Sequence, residues 1–368
     1  MTTALGDGQE PMGCSAADPP AVDNPTHDVA KAQDEFASTR RQAAIRHVKA
    51  AIVGIAGPAL LDHEAALFRA HPPAGMILFA RNVRDRQQLA ALIAALRRVL
   101  PANAVFMVDQ EGGRVARLRP PHWRAHPPAA ALGTLRRAWL SGALIGLDCA
   151  EAGFNTVAAP VLDLGIPGAH DVIGDRALAE DPAEIGRLGR AFADGLLAAG
   201  VQPIGKHAPG HGRAQVDSHL SLPTVEANHL DADLLPFALN ADLPWMMTAH
   251  IVYPAFDPAR PATLSPLIIQ HVIRRQIGFQ GVLVTDDLAM QALTGEPADL
   301  ASEALAAGCD LALYCSGEYA PTEALLKRSP CLSDQSAERL AQARTKAARR
   351  RLDLDAESLA CERDRSLT

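Results

Sequence analysis

The chain has 368 residues, 48% of them hydrophobic but only 4% aromatic, and a net charge of −7 from 35 basic and 42 acidic side chains. A chain leaning acidic is not built around nucleic acid or an anionic membrane, and no run reaches the roughly 18 apolar residues that would read as a membrane span. Its six cysteines (Cys14, Cys149, Cys309, Cys315, Cys331 and Cys361) contain no CxxC pair, so they read as ordinary thiols and the expected compartment is a reducing cytoplasm.

Residues 1–45 are rich in Asp, Pro, Gly and Ala and are expected to be a disordered or loosely packed extension. A rhythm then begins. Short apolar runs at Ala51–Ile55, Gly75–Phe79, Ala104–Val108, Asn155–Ala158, Val201–Gly205, Trp245–Thr248, Gly281–Thr285 and Asp310–Tyr314 predict strands. Between most of them lie stretches of helical periodicity: Arg86–Leu100, Leu132–Glu151, Pro182–Ala199, Pro266–Ile277 and Asp299–Ala307. A last helix, Ser333–Leu352, is expected to end the ordered chain, leaving 354–368 as a tail. Continuous apolar strands alternating with helices imply a parallel sheet covered on both faces. Eight such units point to one α/β domain over 46–353, a (β/α)8 barrel. A doubly wound nucleotide fold is the alternative, but it needs a GxGxxG turn after its first strand, and none is present.

Barrels of this kind do their chemistry at the C-terminal ends of the strands, and that is where the polar residues gather. Asp109-Gln110-Glu111-Gly112-Gly113-Arg114 and then Arg117 follow the third strand. Asp163, His170, Asp171, Asp175 and Arg176 follow the fourth, Lys206 and His207 the fifth, His250 the sixth, and Asp286-Asp287 the seventh.

Three groups of residues carry candidate chemistry. Asp286 or Asp287 ends an apolar strand and so brings a carboxylate to the barrel mouth. Alternation turns one of the pair inward, and the other reading is a cap for a helix beginning near Leu288. Asp217-Ser218-His219 spaces a carboxylate and an imidazole two apart, which suits a proton shuttle or a plain solvated loop. Asp109, Arg117, Arg176, Lys206 and His207 are candidate ligand clamps; surface ion pairs are the bland reading. A metal site built on His207, His211, Asp217 and His219 is also conceivable. However, Pro209, Gly210 and Gly212 break any helix that would align the histidines, and Lys206 and Arg213 add positive charge. No metal and no cofactor are expected.

Taken together, these motifs resemble the bacterial family 3 glycoside hydrolases, specifically the β-N-acetylglucosaminidases (β-hexosaminidases) of peptidoglycan recycling. The matching pieces are Gly75-Met-Ile-Leu-Phe-Ala-Arg-Asn82, Val108-Asp-Gln-Glu-Gly-Gly-Arg-Val115, Ala159-Pro-Val-Leu-Asp163, Ile173-Gly-Asp-Arg176, Lys206-His207, Pro209-Gly-His-Gly212, Asp217-Ser-His219 and Thr285-Asp-Asp-Leu288. The resemblance implies a (β/α)8 barrel with Asp286 as nucleophile, His219 as general acid/base and Asp217 as its dyad partner. It also implies sugar contacts at Asp109, Arg117, Arg176, Lys206 and His207. The implied substrate is a terminal, non-reducing β-linked N-acetylglucosamine on an anhydromuropeptide, hydrolysed with retention through a covalent glycosyl-enzyme in the cytoplasm. A monomer is expected. One departure stands out: the family loop usually reads Gly-His-Gly-Asp-Thr, whereas here Arg213-Ala214 follows Gly212.

Overall fold

Eight parallel strands close on themselves, and their alternation decides what the barrel mouth contains. In this computed structural model, which describes residues 47–168, 170–227 and 229–367, they are β1 (Lys49–Val53), β2 (Pro73–Leu78), β3 (Val105–Val108), β4 (Thr156–Val157), β5 (Gln202–Ala208), β6 (Trp245–Thr248), β7 (Val282–Asp287) and β8 (Leu311–Tyr314). Each pairs with its neighbours in chain order, and β1 closes on β8 with Ala51 opposite Ala312. The extension expected over 1–45 lies outside the described residues.

Successive strand residues point to opposite faces, and the two faces fill two cores. Ile52, Ile77, Met107, Ile204, Trp245, Met247, Val282, Val284, Leu311 and Leu313 pack together through the barrel interior. Val53, Met76, Leu78, Phe106, Val108, Met246 and Leu283 pack instead with the helix layer. With few aromatics available, Ala, Leu, Ile and Val do most of this filling. Carrying the alternation past the last apolar residue gives a simple rule. Asp286 shares the inward parity of Val282 and Val284, whereas Asp287 shares the outward parity of Leu283. By the same count Asp109 follows Met107 and Lys206 follows Ile204, both inward.

The expected helices form with small shifts: α2 (Arg86–Arg97), α3 (Leu135–Ala152), α4 (Pro182–Ala198), α6 (Pro297–Ala307) and α8 (Asp334–Arg350). Four of these five starts follow side-chain caps, since Asp85, Thr134, Asp181 and Ser333 each accept from a backbone N–H in the first turn; α6 starts instead with Pro297 in its first turn. The segment predicted over Pro266–Ile277 is a π-helix, Ile268–Gln276. Three short helices, α1 (Asp62–Ala70), α5 (Asp231–Ala238) and α7 (Tyr319–Arg328), and a small antiparallel pair, Val252–Tyr253 with Asp257–Pro261, were not legible from periodicity.

The tail expected over 354–368 is corrected: it carries a helix, α9 (Ala356–Leu367). Its sequence is too polar to announce a buried face, and specific tertiary bonds hold it instead. Arg136 clasps Glu362 through two hydrogen bonds of 2.6 Å, and Arg137 donates to the Ser366 carbonyl. Buried Arg363 lies 3.3 Å from His126 Nδ1, and His126 Nε2 is 2.9 Å from the fully buried Asp148. Among the described residues, no helix is long and apolar enough to cross a membrane.

Candidate active site

The strand ends assemble a buried cluster of alternating charge. Lys206 Nζ donates to Asp109 Oδ1 at 3.0 Å and lies 2.6 Å from Glu111 Oε1. Arg176 grips Glu111 in a two-point fork, Nε to Oε2 at 2.8 Å and a terminal nitrogen to Oε1 at 2.9 Å. The remaining cation, Arg117, reaches Asp109 Oδ2 at 3.3 Å and lies over the Phe79 ring at 5.3 Å. Its Nε is buried without a protein partner. Burial opposes charge on both carboxyls, but Lys206 with Arg176 holds Glu111 far below the ordinary carboxylate range, and Lys206 with Arg117 holds Asp109 below it. In turn, the two carboxylates outweigh the desolvation of Lys206 and keep its ammonium charged.

Gly112 and Gly113 build the turn that carries this edge. Both adopt positive φ, 102° and 54°, and a Cβ on Gly112 would stand 2.3 Å from the Pro127 carbonyl oxygen, so only glycine fits there.

A second arrangement hangs on Asp163, which is wholly buried. It accepts the His207 N–H at 3.1 Å and the His211 N–H at 2.7 Å, and its Oδ2 is 2.7 Å from His207 Nδ1. With Nδ1 so engaged, His207 turns Nε2 towards Asp286, 3.9 Å from Oδ2. Burial would raise the Asp286 carboxyl. The facing imidazoles of His207 and His250, the Asp287 N–H at 2.8 Å and Lys206 more than offset it and hold the group at about 2. Asp286 is therefore an anion at any physiological pH.

Asp287 behaves differently. Its Oδ1 accepts from the Ala289 and Cys315 N–H groups, each at 2.9 Å, so it structures a turn and stitches β7 to the end of β8. No helix starts at Leu288; the chain there is turns until Pro297, which corrects the helix-cap reading. His250, buried beside it, contacts Thr263 Oγ1 at 2.8 Å and the Asp287 carbonyl at 3.0 Å.

The loop after β5 supplies the third arrangement. Asp217 Oδ1 is 2.7 Å from His219 Nδ1 and also accepts the His219 N–H at 2.8 Å. The His219 side chain is 64% exposed, against 7% for His207. Two backbone bonds lay this segment against the chain that follows Asp286: Gln291 N–H to the His219 carbonyl at 3.3 Å and Ala292 N–H to the Ser218 carbonyl at 3.2 Å. The histidines considered as a metal set thus divide, His207 going to Asp163, His211 Nε2 to Ser218 Oγ at 2.9 Å and His219 to Asp217.

All eight residues singled out from the sequence lie on these three arrangements. Three further ones complete them: Glu111, Asp163 and His250. Each stood just past a strand end, and Glu111 repeats the parity of Asp109, which was the available signal.

Residues 47–352 match the family description "Glycosyl hydrolase family 3 N terminal domain". The chain is 39% identical over 318 residues to the β-hexosaminidase of Methylococcus capsulatus, covering 82% of this chain and 92% of that one. With the β-hexosaminidase of Aromatoleum aromaticum it shares 34% identity over 321 residues, covering 83% and 89%. Among solved structures, NagZ from Neisseria gonorrhoeae in complex with N-trifluoroacetyl-D-glucosamine superposes with a TM-score of 0.73 at 29% identity, covering 86% of this chain and 94% of that one.

Proposed function

This chain belongs to glycosyl hydrolase family 3, as a β-N-acetylhexosaminidase, and on that premise we propose a retaining exo-β-N-acetylglucosaminidase that acts through a covalent glycosyl-enzyme. Asp286 is the nucleophile. The single observation that carries this role is its place: an inward carboxylate at the end of β7, with Oδ2 3.9 Å from His207 Nε2 and Oδ1 accepting the Asp287 N–H at 2.8 Å. A retaining enzyme needs an anion that can attack the anomeric carbon and leave again.

His219 transfers the proton. Its Nδ1 is committed to Asp217, so Nε2 is the nitrogen that gives a proton to the departing glycosidic oxygen and later takes one from water. Asp217 orients the ring and balances the imidazolium. High exposure suits the task, because the same group must meet the aglycone first and water second. Asp109, Arg117, Arg176, Lys206 and His207 hold the sugar. Their charged and ring groups are already engaged, Lys206 and Arg117 with Asp109, Arg176 with Glu111 and His207 with Asp163, so hydroxyls bind a preorganised surface.

Substrate assistance by the N-acetyl group would need a second carboxylate to steady it. Asp287 is engaged by two backbone N–H groups, which favours the double-displacement route.

The substrate in this reading is the terminal, non-reducing β-linked N-acetylglucosamine of an anhydromuropeptide, and the setting is peptidoglycan recycling in the cytoplasm by a monomer. The test is trapping. A 5-fluoro N-acetylglucosaminyl fluoride should leave a covalent adduct on Asp286, seen by mass spectrometry of the digested protein. Inactivation without an adduct would return the mechanism to substrate assistance. Release of N-acetylglucosamine from anhydromuropeptides checks the substrate.

A further inference from the structure

The loop bearing Asp217 and His219 is tied down unevenly. At its root, Tyr253 Oη donates to the Gly210 carbonyl at 2.7 Å, and the His211 N–H donates to Asp163 at 2.7 Å. Gly212 lies so close to Leu164 that a Cβ would come within 2.4 Å of its carbonyl oxygen. At the far end, the Val252 N–H donates to the Pro223 carbonyl at 3.0 Å. Between these ends Val216, Leu220 and Leu222 are exposed, Leu220 at 68%, so apolar packing does not hold the dyad.

Two side-chain ties reach into that span. Arg213 Nε donates to Asp233 Oδ2 at 2.8 Å, and His211 Nε2 meets Ser218 Oγ, between the two dyad residues, at 2.9 Å. Asp233 is 2% exposed and sits in the first turn of α5, where the helix N-terminus favours an anion. Its Oδ1 is buried without a protein partner, so Arg213 is its principal counter-charge. Arg213 itself is directed to α5.

We infer that the Arg213–Asp233 pair, with the His211–Ser218 bond beside it, is a positioning device that fixes the root of the dyad loop and so governs proton delivery rather than sugar binding. This rests on the reading of Asp217–His219 as the proton-transfer pair. Displacing a proton donor by about 1 Å can cost up to about 10²-fold in rate, and the cost falls only on substrates whose leaving group needs the proton.

The experiment compares Arg213→Ala, Asp233→Asn, their combination and Arg213→Lys in the full chain, with His219→Ala as reference. Each is assayed on 4-nitrophenyl N-acetyl-β-D-glucosaminide, an activated substrate, and on N,N′-diacetylchitobiose, an unactivated one; Tm is followed in parallel. The expected result is a fall in kcat of about tenfold or more on the unactivated substrate alone, with KM within about twofold. The double variant should be no worse than the poorer single one, and Arg213→Lys should recover part of the loss. Equal loss on both substrates, or a lower Tm with the ratio of the two rates intact, overturns the inference and leaves the pair merely structural. If His219→Ala is itself unselective, the acid/base reading falls and takes the inference with it. If His219→Ala is selective and Arg213→Ala is not, only the inference falls.

Discussion

Two parts of the same active site are built on opposite physical plans. The strand-end cluster of Asp109, Glu111, Arg176, Lys206 and His207 is buried, cross-bonded and set by barrel alternation. Its charges are arranged before any ligand arrives. The Asp217–His219 pair is carried on a loop, its imidazole largely exposed and its side chains bonded to each other, with backbone bonds from Gln291 and Ala292 reaching the segment beside it. Binding and charge stabilisation reward a fixed, desolvated frame. A group that must exchange protons with an aglycone and then with water cannot be sealed away. On the proposed mechanism the contrast divides labour: the strands would hold the sugar and the nucleophile, and the loop would handle the proton.

The sharpest break in that division is Asp286→Ala. Removing the proposed nucleophile should lower kcat by roughly 10⁴-fold or more on every substrate, measured by nitrophenol release, with the fold intact by circular dichroism. His219→Ala should cost about 10²- to 10⁴-fold on unactivated glycosides and far less on aryl glycosides; a uniform loss would erase the contrast between strand and loop. Glu111→Gln attacks the frame instead. It leaves buried Lys206 and Arg176 short of a counter-charge, so about 3–5 kcal/mol of folding stability should be lost, read from urea unfolding, together with a rise in KM.

The smallest effect concerns pH. Burial, with the cation-capable ring of His207 beside it, pushes the His211 imidazole down to about 4. An unfolded chain takes up that proton near pH 6.5, before the folded one does. Stability is therefore full above about 6.5 and is lost as pH falls towards 4, by on the order of 3 kcal/mol. His126 and His250 are lowered by burial as well and add to the same slope. His211→Leu should flatten the acid limb of the stability curve, measured by urea unfolding at pH 7.5 and 4.5.

The barrel was legible because parallel strands buried on both faces read as uninterrupted apolar runs, and each of the eight runs became a strand. Asp109, Lys206 and Asp286 stood out for a related reason: each directly follows its run, where an apolar pattern stops abruptly, whereas Arg117, Arg176, Asp217 and His219 lie further out on loops. What escaped notice obeys no periodicity. α9 is held by Arg136–Glu362 and by Arg363 against His126, contacts between residues more than 200 positions apart. The π-helix at Ile268–Gln276 has the amphipathic pattern of an α-helix, and hydrogen-bond register leaves no mark in composition. Glu111 and Asp163 stood in view, but their roles as hubs emerge only when Lys206, Arg176 and His207 arrive from other strands.

The seam between β1 and β8 has a kinetic consequence. Ala51 meets Ala312 there, one of the most distant pairings in the chain, and loop-closure entropy delays such contacts in folding. Asp287 accepts the Cys315 N–H where β7 meets the end of β8, so the backbone after Asp286 is tied to β8, and β8 is itself fixed only when it pairs with β1 and shuts the ring. A refolding chain should regain helical circular dichroism first and turnover last. Until closure, β1 and β8 are both open edges able to capture a neighbouring chain, so refolding yield should fall with protein concentration while recovered specific activity per folded molecule stays constant.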